Sequence, residues 1–377
     1  MSVVSQKREA DWRRDRPESA PQTVTAQGLA RRGPITVGSW PGRSFHHNPF
    51  IGQFCSSLEA AGAQVLDVDP SRPLPSMDVL HIHWPDWNFW MAWSPRNAAK
   101  RCALTLWRIA RAKLAGLRVV WMVHDLRPLQ GGQGDSLTWH IYIAVLARLP
   151  DGFMTLSAET VAPVKAAYPP LARLPFAAPN HPLYEVPAAA NQISARATLD
   201  LPSSAIVFTF FGLIRPTKGV LSLVEAFIAT PGAERRLIIA GEPKDADYMA
   251  RIRSAAAGDP RIIIREGHVS DADAALIGAA SDAYVLPFCE SLHSGSIIYA
   301  LSIGRPVITP DAPYARGVHQ AVGSGWVTCY RGALTPAVLE TWRPPTRPAK
   351  LDAFSASRLG EAAMELYARV LGRTGSA

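Results

Sequence analysis

The run AIVFTFFG at residues 205–212 decides the fold, because it ends in glycine and is followed by a helical pattern at Val220–Ala229. The same rhythm continues along the chain. Further apolar runs stand at 235–241 (RRLIIAG), 261–267 (RIIIREG), 282–288 (DAYVLPF) and 305–310 (RPVITP), with helical patterns between them. Short apolar strands that alternate with helices are typical of parallel sheets joined by crossover helices. The second half of the chain therefore predicts a doubly wound α/β sheet.

The first half repeats this alternation, which predicts a second domain of the same class. Its apolar runs are ITVGSW (35–40), AQVLDV (63–68), VLHIHW (79–84) and LRVVWMVHD (117–125). The proline-rich stretch 163–187 fits a linker. We therefore predict an α/β fold of two Rossmann-like doubly wound domains that face a central cleft. The predicted segments are a disordered tail (1–32), an N-terminal domain (33–180), a C-terminal domain (181–345) and a helical segment (346–377) that packs back on the N-terminal domain.

Composition bounds the class of protein. The chain has 377 residues, 48% hydrophobic and 19% charged, with a net charge of +8. No apolar run approaches the ~20 residues that span a bilayer, and the polar N-terminus lacks the features of a signal peptide. We therefore expect a cytoplasmic protein. Four scattered cysteines without a C-x-x-C pair argue against disulfides and a zinc knuckle. The positive charge predicts a polyanionic partner, which could be nucleic acid, an anionic membrane or a phosphorylated substrate.

Two loops that follow strands carry anion-binding chemistry. Ligands of open α/β sheets bind beyond the carboxyl ends of the strands. In the loop 212–219, Gly212 permits a close backbone approach, and Arg215 with Lys218 could clamp a diphosphate, although a turn with solvated cations is the alternative. In the loop after 282–288, Ser294, Gly295 and Ser296 begin a helix whose free N–H groups could bind phosphate. The alternative there is an ordinary serine cap.

The segments FFGLIRPTKGVLSLVEAF, LIIAG and LPFCESLHSGSIIYALSIGRPVI together resemble the donor half of GT-B glycosyltransferases, and most of all the bacterial exopolysaccharide-assembly transferases. The likeness is clear over residues 180–312. It extends more loosely to the first half through the SxPGRSxxxNPF and VHDLRPL loops. The resemblance implies that the N-terminal domain binds an acceptor and that the C-terminal domain binds a nucleotide sugar. It further implies that Arg215 and Lys218 bind the donor diphosphate and that 294–296 cradle phosphate.

One departure from that family concerns stereochemistry. Many retaining members carry two glutamates eight residues apart around this helix, where this chain has Ser291 and Tyr299, with Glu290 one position out of register. Glu290 could still reach the donor. The missing glutamate favours the inverting, β-forming enzymes that resemble xanthan-type β-mannosyltransferases. The implied reaction moves a sugar from GDP-mannose or a UDP-hexose to a lipid-linked oligosaccharide or a polysaccharide.

Rival functions remain at this stage. A retaining GT-B transferase and a sugar-nucleotide epimerase share the same donor motifs. A basic nucleic-acid-binding protein would explain the charge, but no helix-turn-helix, zinc or RNA-binding signature accompanies it. We therefore expect no nucleic-acid partner.

An inverting transfer needs a general base from the opposite side of the cleft. The candidates at strand ends of the first half are Asp86, His124 and Asp125. We favour Asp86 or His124 without ranking these two, and for each candidate a structural role is an equal alternative. His81 and His83 share one strand face, where packing is favoured over a metal pair. The strings Asp245–Asp247 and Asp271–Asp273 could bind a metal with the diphosphate, but Ser270 with Asp273 three residues later is typical of a helix cap. We therefore expect no metal cofactor.

Aromatic and basic residues cluster in the first half and predict an acceptor or membrane surface. Trp84, Trp87, Trp90 and Trp93 recur every three residues, and the stretch 96–118 holds seven Arg or Lys and no acid. This composition is typical of surfaces that bind anionic lipid. The predicted surface residues are His46, His47, Trp87, Trp90 and Arg101. The alternative is that the indoles fill the core. On the first interpretation, the protein lies peripherally on the inner membrane and a lipid-linked saccharide is the acceptor.

Overall fold

A computed structural model describes residues 33–44, 48–70, 72–90, 92, 94–126, 136–186, 191–288 and 292–373. These residues form two six-stranded sheets in which every paired strand is parallel to its neighbour. The predicted fold class is therefore confirmed. The predicted tail at 1–32 lies outside the described residues, as do His46, His47 and Glu290.

The first sheet lies within residues 36–177 and has the strand order β2-β1-β3-β4-β5-β6. Its strands are β1 (Thr36–Trp40), β2 (Gln64–Asp67), β3 (Val79–Ile82), β4 (Arg118–Met122), β5 (Gly152–Met154) and β6 (Phe176–Ala177). Its helices are α1 (Pro49–Ala60), α2 (Trp87–Trp90), α3 (Pro95–Leu114), α4 (Leu137–Leu146) and α5 (Val161–Ala167), with short 3-10 turns at Ala158–Thr160 and Pro169–Leu171.

The second sheet lies within residues 206–330 and has the order β12-β11-β10-β7-β8-β9. Its strands are β7 (Ile206–Phe211), β8 (Arg235–Gly241), β9 (Ile262–Glu266), β10 (Ala283–Val285), β11 (Val307–Pro310) and β12 (Val327–Tyr330). Its helices are α6 (Gln192–Thr198), α7 (Val220–Ile228), α8 (Ala246–Ala256), α9 (Asp271–Ala280), α10 (Gly295–Ser302), α11 (Pro313–Val322) and α12 (Pro336–Thr341). The 3-10 turn Pro216–Lys218 precedes α7.

Local sequence explains where these elements begin and why they are buried. Asn48 and Ser94 cap α1 and α3 with their side chains, and a proline occupies the first turn of each helix, where a missing N–H costs nothing. All residues of β3 are buried, because helices cover both faces of a parallel sheet. Within the described residues, no helix combines the length and the hydropathy that a bilayer span requires.

The last helix, α13 (Ala356–Val370), packs against α1 of the first half. The 3-10 turn Asp352–Phe354 precedes it. A hydrogen bond from the Leu183 amide to the Phe354 carbonyl (2.9 Å) joins this turn to the segment that connects β6 with α6. Leu359, Leu366 and Tyr367 of α13 are fully buried or nearly so in one cluster with residues of α1. The core of the first half is therefore completed by residues from the other end of the chain.

Candidate active site

The carboxyl ends of β3 and β4 bring the three predicted base candidates together. Asp86 and Trp84 follow β3, and His124 and Asp125 follow β4. The Trp84 ring stacks on the His124 imidazole, with centroids 4.1 Å apart. A small cavity opens at this edge. Its wall includes the side chains of Trp84, Asp86, Trp121, Asp125, Trp139 and Tyr168.

Asp125 has the electrostatics of a general base. Burial raises its pKa to about 7, and the nearby Asp86 carboxylate acts in the same direction. Lys218, a hydrogen bond from Trp84, and Arg215 act in the opposite direction. A carboxylate that titrates near neutral pH is suited to accept a proton from a hydroxyl group.

His124, which the sequence favoured as a base together with Asp86, is less suited than Asp125. It is buried, and its Nε2 lies 3.1 Å from Nδ1 of His83. Burial and the neighbouring His83 hold the pKa of His124 well below its usual range. The Nε2 atom of the neutral His124 ring is already bonded to His83. Asp125 is therefore the better candidate for the general base. The reason could not be seen in the sequence, because burial depends on how the strand ends pack.

The histidine pair on β3 has structural partners. His81 Nδ1 lies 2.6 Å from the Tyr367 hydroxyl of α13, and His83 bonds to His124 as described. Burial lowers the pKa of both rings well below the usual value. Among the described residues, no group of three or more His, Cys, Asp or Glu side chains is arranged to hold a metal ion. The contacts of this pair are hydrogen bonds and ring packing, the interpretation that the sequence favoured.

The loop after β7 presents the two predicted donor cations. Gly212 has a φ of 142°. A Cβ on Gly241 would collide with the carbonyl oxygen of Gly212. Gly219 has a φ of 66°, and a Cβ there would lie 2.6 Å from the Pro287 carbonyl oxygen. Only glycine allows these close approaches. They fix the turn that carries Arg215 and Lys218 at the carboxyl edge of the sheet.

Lys218 and Arg215 face the acidic pair across the cleft. The Lys218 ammonium lies 3.7 Å from the centroid of the Phe288 ring. Burial and the adjacent Arg215 lower the pKa of Lys218 to about 8, while Asp125 acts in the opposite direction. The mutual influence of Asp125 and Lys218 shows that the strand ends of the two halves meet at one site.

The start of α10 carries the other predicted donor-binding residues. Ser294 caps the helix by accepting a hydrogen bond from the Ile297 amide (3.3 Å). The first N–H groups of a helix have no partner within it, so those of Gly295 and Ser296 can meet an anion. A Cβ on Gly295 would lie 2.7 Å from the Tyr184 hydroxyl oxygen. Tyr299 is half-buried and stacks on Phe211 (centroids 5.2 Å apart).

Both D-x-D strings lie at helix starts, where the sequence predicted a cap for Ser270 with Asp273. The Asp245 carboxylate accepts from the Tyr248 amide (2.8 Å) at the start of α8. At the start of α9, the Ser270 hydroxyl accepts from the Asp273 amide (3.1 Å) and donates to the Asp273 carboxylate (2.6 Å). These contacts are those of a reciprocal helix cap.

The structure shows which apolar side chains are exposed in the region of the predicted acceptor or membrane surface. Trp87 is half-buried and packs against the first core, and Arg101 is half-buried. The Trp90 side chain lies outside the described part of the chain. The exposed large apolar side chains in this region are Trp107 and Leu114 on α3, and Leu137, Ile141 and Val145 on α4. Which side of α3 and α4 faces solvent depends on how the two helices pack against each other. The spacing of the tryptophans in the sequence carries no information on that packing.

Two further residues of this site escaped selection from the sequence. The sequence singled out Trp84 only as part of the three-residue tryptophan spacing. In the structure it stacks on His124 and bonds to Asp125. His293, next to the Ser294 cap, reaches into the first half and bonds there. The sequence feature that could have pointed to His293 is its position directly before the serine that caps α10.

Two six-stranded parallel sheets with helices between their strands match the predicted GT-B architecture of glycosyltransferases. Residues 205–338 match the family described as Glycosyl transferases group 1. The predicted resemblance and the enzyme class are thus confirmed, and the chain is a glycosyltransferase.

Among curated proteins, the chain is similar to a GDP-mannose:glycolipid 4-beta-D-mannosyltransferase of Xanthomonas campestris pv. campestris. The two are 26% identical over 337 residues, which cover 88% of this chain and 90% of the relative. A second protein of that name, from the same pathovar, is 28% identical over the same lengths.

Solved structures share the fold. The Anabaena protein Alr3699/HepE in complex with UDP and glucose is 14% identical with a TM-score of 0.56, over 90% of this chain and 98% of its own. WaaG, a glycosyltransferase involved in lipopolysaccharide biosynthesis, is 15% identical with a TM-score of 0.54, over 91% of this chain and 96% of its own.

Proposed function

We propose that the chain transfers a mannosyl group from GDP-mannose to a lipid-linked saccharide, with inversion at the anomeric carbon. The observation that carries this proposal is the meeting of Asp125 and Asp86 with Arg215 and Lys218 across one cleft. The names of the two Xanthomonas relatives support GDP-mannose as donor and a glycolipid as acceptor.

In this mechanism, Asp125 removes the proton of an acceptor hydroxyl as its oxygen attacks the anomeric carbon. The bond between that carbon and the diphosphate oxygen breaks, and the diphosphate leaves with the bonding electrons. A single displacement from the opposite face inverts the configuration. It needs no enzyme carboxylate on the donor side, and Tyr299 stands where retaining relatives have their second glutamate.

The leaving diphosphate gains negative charge, which Arg215 and Lys218 can stabilise together with the N–H groups at the start of α10. Fixed positive groups aimed at developing charge are a large source of catalysis. We therefore propose that these groups take the place of a divalent cation. Transfer that persists in excess EDTA would support this part, and a strict dependence on added metal would overturn it.

Replacing Lys218 by alanine tests the donor assignment. We expect kcat with GDP-mannose to fall roughly 10²–10³-fold, as for the loss of one charge-stabilising donor, because the leaving diphosphate loses a cation. The melting temperature should not fall, since Lys218 is not a core residue. The assay is the appearance of GDP with a lipid-linked saccharide, followed by NMR of the new linkage.

The matched control is Lys350→Ala, an exposed lysine of the second half, which should keep wild-type turnover. Normal turnover in Lys218→Ala would remove the donor assignment. An α-linked product would overturn inversion while leaving the donor assignment intact.

We further propose that the acceptor is reached at an anionic bilayer surface through the α3/α4 patch, defined as Trp107, Leu114, Leu137, Ile141 and Val145. These side chains are exposed on two helices that pack on each other. Neither helix contains an acid, and α3 carries exposed Arg96, Lys100 and Arg111. Exposed apolar side chains with basic neighbours are the chemistry that binds anionic lipid surfaces.

A further inference from the structure

His293 connects the donor loop to the first half of the molecule. It stands between β10 and α10, directly before the Ser294 cap, yet its ring lies among residues that follow β4 and β5. The residue is only 9% exposed. A side chain that is buried in the opposite half fixes the spacing of the two halves at that point.

Both ring nitrogens of His293 have partners in the first half. Nε2 lies 3.0 Å from the Leu156 amide nitrogen and 2.8 Å from the Thr155 hydroxyl. Nδ1 lies 3.1 Å from the carbonyl oxygen of His124. A backbone N–H can only donate, so Nε2 accepts, and the ring proton is on Nδ1, where it donates to His124.

This arrangement excludes His293 as an acid or base of the reaction. Burial lowers its pKa to about 3, and a second ring proton would point at the Leu156 N–H. The ring is therefore a neutral, two-sided link with one donor and one acceptor.

The bond to His124 acts directly on the proposed base. The carbonyl of His124 and the N–H of Asp125 belong to one planar peptide group, so a hydrogen bond to the carbonyl orients the group from which Asp125 continues. On the other side, the next residue along the chain is Ser294, whose hydroxyl caps α10. One side chain thus connects the start of the phosphate cradle to the backbone of the base.

We propose that His293 is a positioning residue that holds Asp125 and the 294–296 cradle in one arrangement across the cleft. The proposal rests on the function proposed above, in which Asp125 is the base and the cradle binds the donor diphosphate. The proposed role requires the hydrogen bond that Nδ1 of His293 donates to His124. A role in packing alone would not require that bond.

Two substitutions of similar size separate the two ring nitrogens. His293→Asn places an amide N–H near the position of Nδ1 and can keep the bond to His124. His293→Gln places its amide near Nε2 and can keep the bond to Leu156. His293→Ala removes both. The measurements are kcat, KM for donor and acceptor, and the Kd of GDP by calorimetry.

We expect His293→Gln and His293→Ala to lower kcat by roughly 100-fold, the cost of a misplaced catalytic group. The Kd of GDP should stay unchanged in His293→Gln, because that variant keeps the bond that ties the cradle to Leu156. His293→Asn should recover most of that loss. If the Asn variant is as slow as the Gln variant, or if the Gln variant loses GDP affinity in proportion to kcat, His293 has only a structural role and the proposal is overturned. This comparison holds even if the alanine variant does not fold.

The matched control is His319→Ala. His319 also bonds through Nδ1 to a backbone carbonyl, that of Val327 (2.6 Å), but on the edge strand β12, and its loss should not change kcat. Asp125→Asn separates this inference from the proposed function. Full transfer by Asp125→Asn would overturn the proposed base. An inactive Asp125→Asn beside a fully active His293→Ala would overturn only the inference on His293.

Discussion

Asp125 and Lys218 face each other with pKa values of about 7 and about 8. The base must be ionised, so kcat/KM should rise as the pH increases through 7. The cation must be protonated, so kcat/KM should fall as the pH increases through 8. A bell-shaped profile between pH 5 and 10 is the expected result, since kcat/KM reports the groups of the free enzyme.

Lys218→Arg is the control for the alkaline side of that profile. A guanidinium stays charged throughout this range, so the fall above pH 8 should disappear while the acid side stays near pH 7. An unchanged alkaline side in this variant would assign it to another group. Arg215 acts on the pKa of both groups, so its replacement would shift both sides of the profile, whereas Asp86 and Trp84 act on Asp125, so theirs would shift the acid side.

At the residue scale, the sequence indicated where Arg215 and Lys218 lie in the fold, but it contained no information that distinguishes the base candidates. Arg215 and Lys218 follow a strand directly, and glycines border their turn, which places them at the ligand-binding edge of any such sheet. The choice between His124 and Asp125 depends on which side chain is already bonded and how deeply each is buried. Those facts arise from packing between strand ends that lie far apart in sequence.

Among the elements, strands were easier to predict than helix faces. The strands of a parallel sheet are buried on both sides, so β7 and β8 consist mostly of apolar residues. The Ser294 cap and the caps of α8 and α9 were likewise visible as local patterns. In α3, the buried side chains are those of Ala98, Cys102, Thr105 and Ile109, whereas its one tryptophan, Trp107, is exposed.

The α3/α4 patch gives a prediction at the scale of these elements. Ile141 is 57% exposed, so Ile141→Asp should leave the fold intact while it places a negative charge against an anionic lipid surface. We expect binding to vesicles that contain phosphatidylglycerol to weaken at least ~5-fold, because the apolar contact is lost and a repulsive charge is added. Co-sedimentation with vesicles is the measurement.

A matched substitution lies in the second half. Ile193 on α6 is 72% exposed and is not part of the patch, so Ile193→Asp should bind vesicles as the wild type does. Equal binding by both variants would place the membrane surface elsewhere. Turnover with a detergent-solubilised acceptor should stay normal in both, since neither residue contacts the cleft.

For the whole molecule, the two halves depend on each other in two places. His293 joins them at the cleft, and α13 joins them at the back of the first sheet, where Tyr367 bonds to His81. The second contact means that the first half lacks part of its core until the end of the chain has been added. A fragment that ends before α13 would expose the apolar face of α1.

Leu366→Ala tests this dependence. Leu366 is 1% exposed, within the cluster that α13 forms with α1. A buried leucine replaced by alanine costs roughly 2–5 kcal/mol, so the free energy of unfolding in urea should fall by that amount. The neighbouring Glu365 is exposed on the same helix, and Glu365→Ala should change stability by no more than about 0.5 kcal/mol. If Leu366→Ala were as stable as Glu365→Ala, then α13 would not contribute to the core of the first half. In that case the fragment without α13 should fold alone.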